Sequence, residues 1–526
     1  MAECVTLAQV NEAILDGRSP AEVLRETCLH AREQQETVLA DLLTRNATCA
    51  WGKRWGFGDI DGYEAFRATV PVTEFSDYHD EIEAMKNGAE DVLFPGRARA
   101  FVVSTGTTGI PKYIPESDDG ALAKDLVSRM RAFEWKRLIP GAELPERKTL
   151  AISNAAVYEL TAGGIPAGSA SGLTIASGSV ISDKRRTPPT ALLTLTGLSR
   201  ESVDYLTMLF SIADDQVAKL GCNNVAHFHL LWSLAQERSA TIVEDIRQGE
   251  LSVELAEADR ATLMESWGPN PARAEELEQL LHEDGELRVE KVWPHFQAVV
   301  CWIGGSVGRS VQEYRSLFPE RTTFLNWGYG ASEGKFDVSV EADSTEGLLS
   351  LFGYFYEFLE PGTQAPVPLW EARDDVPYEL VLTSYSGFYR YNIHDLVRLG
   401  TNAEGLRTLS FLGKTSDSLE LAGKALYSVE FLELIEQYER AHNVFFRLAQ
   451  GTDDGGKLRI LAEATDDGWD EEAFCAWARD HFERLGVPFA GVTKLAQGYR
   501  DSLFEKVMES GKSVNSTKVA VFVKGV

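Results

Sequence analysis

Phe101-Val102-Val103-Ser104-Thr105-Gly106-Thr107-Thr108-Gly109-Ile110-Pro111-Lys112-Tyr113 sets the reading of the whole chain. An apolar, β-branched run breaks into small hydroxylated and glycine residues and closes on a lysine, ahead of a polar segment expected to open a helix. Glycines let backbone N–H groups turn toward an anion, and Ser and Thr hydroxyls add donors, so the stretch is expected to cradle the phosphates of ATP. It is not a Walker loop, because Pro111 stands where that template needs its second glycine and Tyr113 follows Lys112. An unliganded Ser/Thr/Gly turn has the same composition, so the rest of the chain has to decide.

At 526 residues, 44% hydrophobic and 25% charged, the chain can bury a large domain and at least one smaller one. Its 51 Lys and Arg against 80 Asp and Glu give a net charge of −29, which argues against nucleic acid or an anionic membrane as partner. A small anion could still be drawn to a locally basic site. Cys4, Cys28, Cys49, Cys222, Cys301 and Cys475 lie far apart with no C-x-x-C pair, so reduced thiols are expected. The opening residues do not read as a leader and no run of about 18 apolar residues occurs, so a cytoplasmic location is expected.

Helical periodicity fills residues 5 to 48, with Ser19-Pro20 as a helix start. After the cradle, strand-like runs (150–153, 298–303, 322–327) alternate with helices expected at 200–220 and 224–236. That alternation predicts an α/β organisation with partly parallel strands. The glycine-rich 161–172 reads as a loop. A boundary is placed near Phe411-Leu412-Gly413-Lys414, beyond which helices and strands interleave in a compact α+β unit.

Three later stretches are candidates for chemistry, each with a purely structural alternative. Asn326-Trp327-Gly328-Tyr329-Gly330-Ala331-Ser332-Glu333-Gly334 leaves an apolar strand, where α/β sheets collect ligands, and offers an aromatic face, a hydroxyl and a carboxylate suited to Mg²⁺. Tyr385 to Arg398 holds Asp395, which can accept both ribose hydroxyls, and Arg390 and Arg398, permanent charges for phosphate or carboxylate, a strand edge with a local Asp–Arg pair being the alternative. The carboxy-terminal loop 511–518 could bring Lys518 to a distant site. His227 and His229 would share a face on a strand, but no further ligand at metal spacing accompanies them.

In this order, S-T-G-T-T-G-x-P-K, Y-G-x-S-E, Y-R-Y-x-x-x-D and Gly413-Lys414 with Gly423-Lys424 resemble the acyl-adenylating superfamily. Within it the match is nearer to the acyl acid amido synthetases of the auxin-conjugating (Gretchen Hagen) family. Supporting stretches include Ala68 to Val72, Gly163 to Gly168, Val292-Trp293-Pro294, Tyr354 to Phe358 and Tyr378 to Thr383, so the resemblance runs from about residue 40 to the end.

The resemblance implies a large domain, 1–412, with β-sheets flanked by helices, binding ATP and the acyl acid, and a small mobile α+β lid, 413–526. It implies an AMP-forming ligase: a carboxylic acid is activated as acyl-adenylate with loss of pyrophosphate, then passed to an amine, usually an amino acid. By position, Ser104, Thr105, Gly106, Thr107, Thr108, Gly330 and Ser332 would hold phosphate, Tyr329 the adenine, Glu333 Mg²⁺ and Asp395 the ribose. Lys424 and Lys518 match lysines of the lid, Lys518 being the one to stabilise charge at the α-phosphate.

The acid would lie between Tyr205, Met208 and Leu209 on one side and Ile303, Ser306 and Val307 on the other, with Trp327 close by. Thr105 stands where a second Ser is common, and Asn392 and His394 where Arg and Gly often precede the ribose carboxylate. His394 is expected only to fill space at that turn. The hinge pivots at Ser416 or Asp417. A thiol acceptor, coenzyme A or a carrier protein, is the alternative enzyme, and a nucleotide-binding protein without turnover the non-enzymatic one.

Overall fold

Ser104 and Lys112 face each other across a hairpin: Ala100–Ser104 pairs antiparallel with Lys112–Glu116 in the computed structural model. The structure describes residues 4–104, 111–139, 147–176, 183–195, 197–466, 468–509 and 519–523. The polar segment after Lys112 therefore opens a strand, and the expected helix starts later, at Asp118–Leu138, where Ser117 Oγ accepts the Gly120 N–H at 2.9 Å. Tyr113 and Ile114 suit a strand, and Pro115 is tolerated because this strand is an edge of its sheet.

The stretch read as a glycine-rich loop also holds regular structure. Pro166–Gly168 runs parallel to Ala100–Ser104, and a helix, Ala170–Ala176, follows. A Cβ at Gly168 would run into the Ala156 carbonyl, and one at Gly172 would press on the backbone of Asn154–Ala156. These glycines serve close backbone approach rather than disorder.

A second, five-stranded sheet is wholly parallel, in the order Arg186–Thr187, Lys148–Ala151, Val217–Gly221, Ala298–Cys301, Thr323–Asn326. The helix expected over 200–220 stops at Ile212, because Asp214 turns the chain by accepting the Gln216 N–H at 2.9 Å, and Val217–Gly221 is a strand. Alternation along Ala298–Cys301 gives each face its own core. Val299 and Cys301 pack with helices Arg200–Ile212 and Val225–Glu237, while Ala298 and Val300 pack with Trp135 of Asp118–Leu138.

The third sheet has seven antiparallel strands, from Asp337–Val338 through Glu346–Leu349, Arg407–Lys414, Tyr391–Thr401, Pro377–Ser384 and Tyr354–Leu359 to Val367–Pro368. Beyond Lys414 the chain forms a ribbon, Ser418–Leu421 with Lys424–Tyr427, then a four-stranded sheet with helices Ser428–His442 and Glu471–Arg484 around a core of its own. The cysteines are free. Among the described residues no helix is long and apolar enough to cross a membrane.

Arg390, read in the sequence as a charge for phosphate or carboxylate, is instead an internal tie. It is buried, donates to both Glu357 oxygens at 2.9 and 2.7 Å, and reaches the carbonyls of Arg67 and Val70. Arg390→Met leaves Glu357 buried with only Tyr63 Oη as donor, so a loss of about 3–5 kcal/mol is expected in urea unfolding. Adding Glu357→Met should recover most of it; a double variant as unstable as the single one would refute this.

Candidate active site

The exit loop of the parallel sheet is locked before it presents any chemistry. Tyr329 N–H donates to Asp337 Oδ1 at 2.8 Å, and its carbonyl accepts Arg131 Nη2 at 2.8 Å. Arg131 also donates to the Asp337 carbonyl at 2.8 Å and ion-pairs with its carboxylate at 3.2 Å. Burial pushes the Asp337 carboxyl up to about 6 and pulls the Arg131 guanidinium down, each against the opposing charge of its partner. Gly328 has φ +79°, and a Cβ there would collide with the Asp337 carboxylate and the Arg131 guanidinium.

The loop closes on itself through a bridge between Gly330 and Lys335. Lys335 turns into the protein, its Nζ 2.5 Å from Ser128 Oγ, and burial, reinforced by Arg131 and Lys124, pulls its ammonium down to about 7. The Ser332 carbonyl accepts Lys124 Nζ at 2.9 Å.

Three residues that are distant in sequence meet in front of this loop. Tyr329 Oη donates to Asp395 Oδ2 at 2.8 Å, Lys414 Nζ donates to Asp395 Oδ1 at 2.5 Å, and the Tyr329 ring stacks on Phe411 with centroids 5.0 Å apart. Glu333 is buried and accepts Tyr391 Oη at 3.3 Å. Burial raises its carboxyl, as does the charge of Asp395, while its own backbone amide, Lys414 and Lys112 pull the other way. Lys112 Nζ sits over the Phe75 ring. Ser104 ends its strand half-buried, whereas Thr105, Gly106, Thr107, Thr108 and Lys518 lie outside the described residues.

The other site expectations divide. Lys424 Nζ donates to the Leu485 carbonyl inside the carboxy-terminal unit, so it is not among the residues around Asp395. Trp327 Nε1 donates to the Cys222 carbonyl at 2.8 Å and its ring meets Trp135 edge-on, on the face of the parallel sheet that packs against Asp118–Leu138. Tyr205, Met208 and Leu209 are core residues of the opposite face, with Tyr205 Oη donating to Asp245 at 2.7 Å.

The structure therefore does not bring Trp327 and that trio to one wall. Ile303 packs on the trio's side, Val307 is buried one turn into the helix Gly305–Tyr314, and Ser306 lies in that first turn. His227 and His229 lie on a helix, not a strand, which sends their rings apart: one meets Arg200 at 2.5 Å, the other stacks on Tyr314 at 4.3 Å.

His394 does more than fill space. Its φ is +56°, the backbone region where glycine is at ease, which accounts for the glycine common there in the family it resembles. Nε2 lies 2.6 Å from Glu74 and Nδ1 3.3 Å from Glu379, and its carbonyl accepts Thr415 N–H at 3.0 Å. The bond to Glu379, then that to Glu74, raises the imidazole above its ordinary value against burial.

Lys414 was quoted in the sequence as half of a motif, yet only its reach to Asp395 reveals a role. Arg131 and Asp337 carry no motif, and nothing local in the sequence marks them.

A raised folded-state value means that His394 stabilises fully below its unfolded value and loses that contribution as pH climbs through the folded one. The stability advantage of the wild type over His394→Asn, which keeps a residue tolerant of this φ, should be larger at pH 5.5 than at pH 9. Screened by solvent, the change is about 0.5–1 kcal/mol in urea unfolding. Equal differences at both pH values would count against the two carboxylate contacts.

Residues 21–323 match the GH3 family N-terminal domain and residues 347–414 the GH3 family central domain. An indole-3-acetic acid-amido synthetase, GH3.15 of Arabidopsis thaliana, is 24% identical over 443 residues, covering 78% of this chain and 73% of the relative. The solved AtGH3.15 acyl acid amido synthetase in complex with 2,4-DB superposes with a TM-score of 0.80 at 19% identity, covering all of this chain and 96% of that one. A 2-hydroxyisobutyryl-CoA ligase, solved in the postadenylation state, shares the fold more distantly, with a TM-score of 0.55 at 13% identity over 95% of this chain and 91% of that one. With the two family domains together spanning most of its length, the chain belongs to the GH3 family.

Proposed function

We propose that the protein is an ATP-dependent, AMP-forming ligase that joins a carboxylic acid to an amine, an amino acid by analogy with its relatives. A carboxylate oxygen attacks the α-phosphorus and the bond to pyrophosphate breaks; the amine nitrogen then attacks the acyl carbon, gives up a proton, and AMP leaves. AMP turns a poor leaving oxygen into a good one. The observation that carries this reading is the convergence of Tyr329 and Lys414 on Asp395, beside buried Glu333, at the carboxyl end of a parallel sheet.

In this reading Tyr329 packs against the adenine. Asp395 receives the ribose hydroxyls in exchange for one of its present donors, and Lys414 stays close enough to offset phosphate charge. Ser104, Thr105, Gly106, Thr107, Thr108, Gly330 and Ser332 line the phosphates. Lys518 supports the α-phosphate from the lid, and Lys424 would reach the nucleotide only after the lid turns.

Glu333 fits a Mg²⁺ ligand: it is a buried carboxylate short of donors, and this ion takes one or two carboxylates and completes its shell with phosphates and water. Bound there, the ion would neutralise phosphate charge. The last strand of the seven-stranded sheet ends at Lys414, which supports a division between body, 1–412, and lid, 413–526.

The test is exchange of radiolabelled pyrophosphate into ATP with Mg²⁺ and a panel of carboxylic acids, including indole-3-acetic acid and 2,4-DB, followed by added amino acids. Label should enter ATP only when an acid is present, and an amide should form. Asp395→Asn should raise the KM for ATP about 10- to 100-fold, and Glu333→Gln should slow exchange on the order of 10²-fold. Release of ADP would overturn the adenylation chemistry, and thioester formation with coenzyme A in place of amide would reassign the acceptor.

A further inference from the structure

The helix Gly305–Tyr314 links two regions. It starts just past the end of Ala298–Cys301, at the carboxyl end of the parallel sheet, and its later turns carry Arg309, Ser310, Glu313 and Tyr314. Spaced i, i+1, i+4 and i+5, these four share one face, and all of them meet the carboxy-terminal unit.

Arg309 donates to the Glu439 carboxylate and to the Phe446 carbonyl, and Ser310 Oγ accepts Arg500 Nη2 at 2.9 Å. Glu313 accepts Arg447 Nε at 2.7 Å and ion-pairs with Arg500, whose guanidinium also lies over the Tyr314 ring. Arg447 in turn meets Glu463 and Asp501. Phe504, from the carboxy-terminal unit, is buried in the core built on Arg200–Ile212 and Val225–Glu237.

Charge dominates this interface, and the charge is buried: the side chains of Arg309, Glu439, Glu313 and Arg500 are each 8% exposed or less. Burial pulls Arg500 down to about 10 and pushes Glu439 up, so these ions would be better hydrated apart. Buried pairs roughly break even against apolar replacements. Such a contact enforces one register without permanent adhesion.

We propose that Arg309 and Glu313 are positioning residues that hold the carboxy-terminal unit in one of its working orientations. The proposal rests on the adenylation reading above. It predicts that weakening the contact shifts the balance between the two half-reactions instead of lowering both.

The experiment compares wild type, Arg309→Met, Glu313→Gln and the conservative Arg309→Lys in acid-dependent pyrophosphate exchange and in amide formation. The ratio of amide formation to exchange should change about fivefold or more, in the same direction, for Arg309→Met and Glu313→Gln, with the KM for ATP unchanged and Arg309→Lys near wild type. Equal falls in both rates, or an unchanged ratio, would overturn it. If a single variant fails to fold, Arg309→Met with Glu439→Met removes both charges and should show the same shift; an unchanged ratio in that variant also overturns it. Limited proteolysis between residues 414 and 417 supplies a readout independent of turnover, and cleavage should be faster in the variants. Absence of acid-dependent exchange in the wild type would refute the underlying reading instead, and the proteolysis result would still decide the contact.

Discussion

Arg131 and Asp337 form the interaction on which the site depends. Arg131 comes from the helix that follows the cradle hairpin, Asp337 from the edge of the seven-stranded sheet, and both close on the backbone of Tyr329, at the exit of the parallel sheet. One buried pair thus fixes three separately built layers at a single residue. A lone buried charge is far costlier than a matched one, so the pair is all-or-none: removing either member leaves the other stranded. Gly328 is part of the same device, since only the absence of a side chain lets guanidinium and carboxylate come so near the turn.

The sequence revealed residues whose chemistry is local and concealed those whose role comes from packing. Tyr329 and Glu333 sit on a glycine-rich loop and Asp395 in a strand a few residues after a run of aromatics, and their types announce a ligand before any fold is known. Arg131 lies on a helix with residues such as Lys124, Ser128 and Glu134 buried among apolar ones, so no clean stripe separates inside from outside and its role is invisible. Trp327 falls on the other face from Tyr205, Met208 and Leu209 for a related reason. Tyr205 and Trp327 both belong to the neighbourhood of the parallel sheet, but their sides are set by which face the helix Arg200–Ile212 covers, a packing choice that the sequence does not show, and Val217–Gly221 read as helix. The α/β organisation was legible because alternation of strands and helices survives errors of that size.

The charge of the chain and that of its site point in opposite directions. The molecule carries a net charge of −29, yet Lys112, Lys124, Lys335, Lys414 and Arg131 gather around the Tyr329 loop. Three of these cations are matched by carboxylates, Lys124 by Glu116, Arg131 by Asp337 and Lys414 by Asp395, so the local charge is organised into pairs and burial strengthens each of them.

The polar seam along Gly305–Tyr314 has a consequence for modular engineering. The carboxy-terminal unit has a core of its own and so looks exchangeable. Here Glu439, Arg447 and Arg500 are matched to Arg309, Ser310 and Glu313. A graft that lacks acceptors and donors at these three positions would strand Arg309 and Glu313 in a buried seam, so a chimera of this protein has to match residues 305–314 to the transplanted unit.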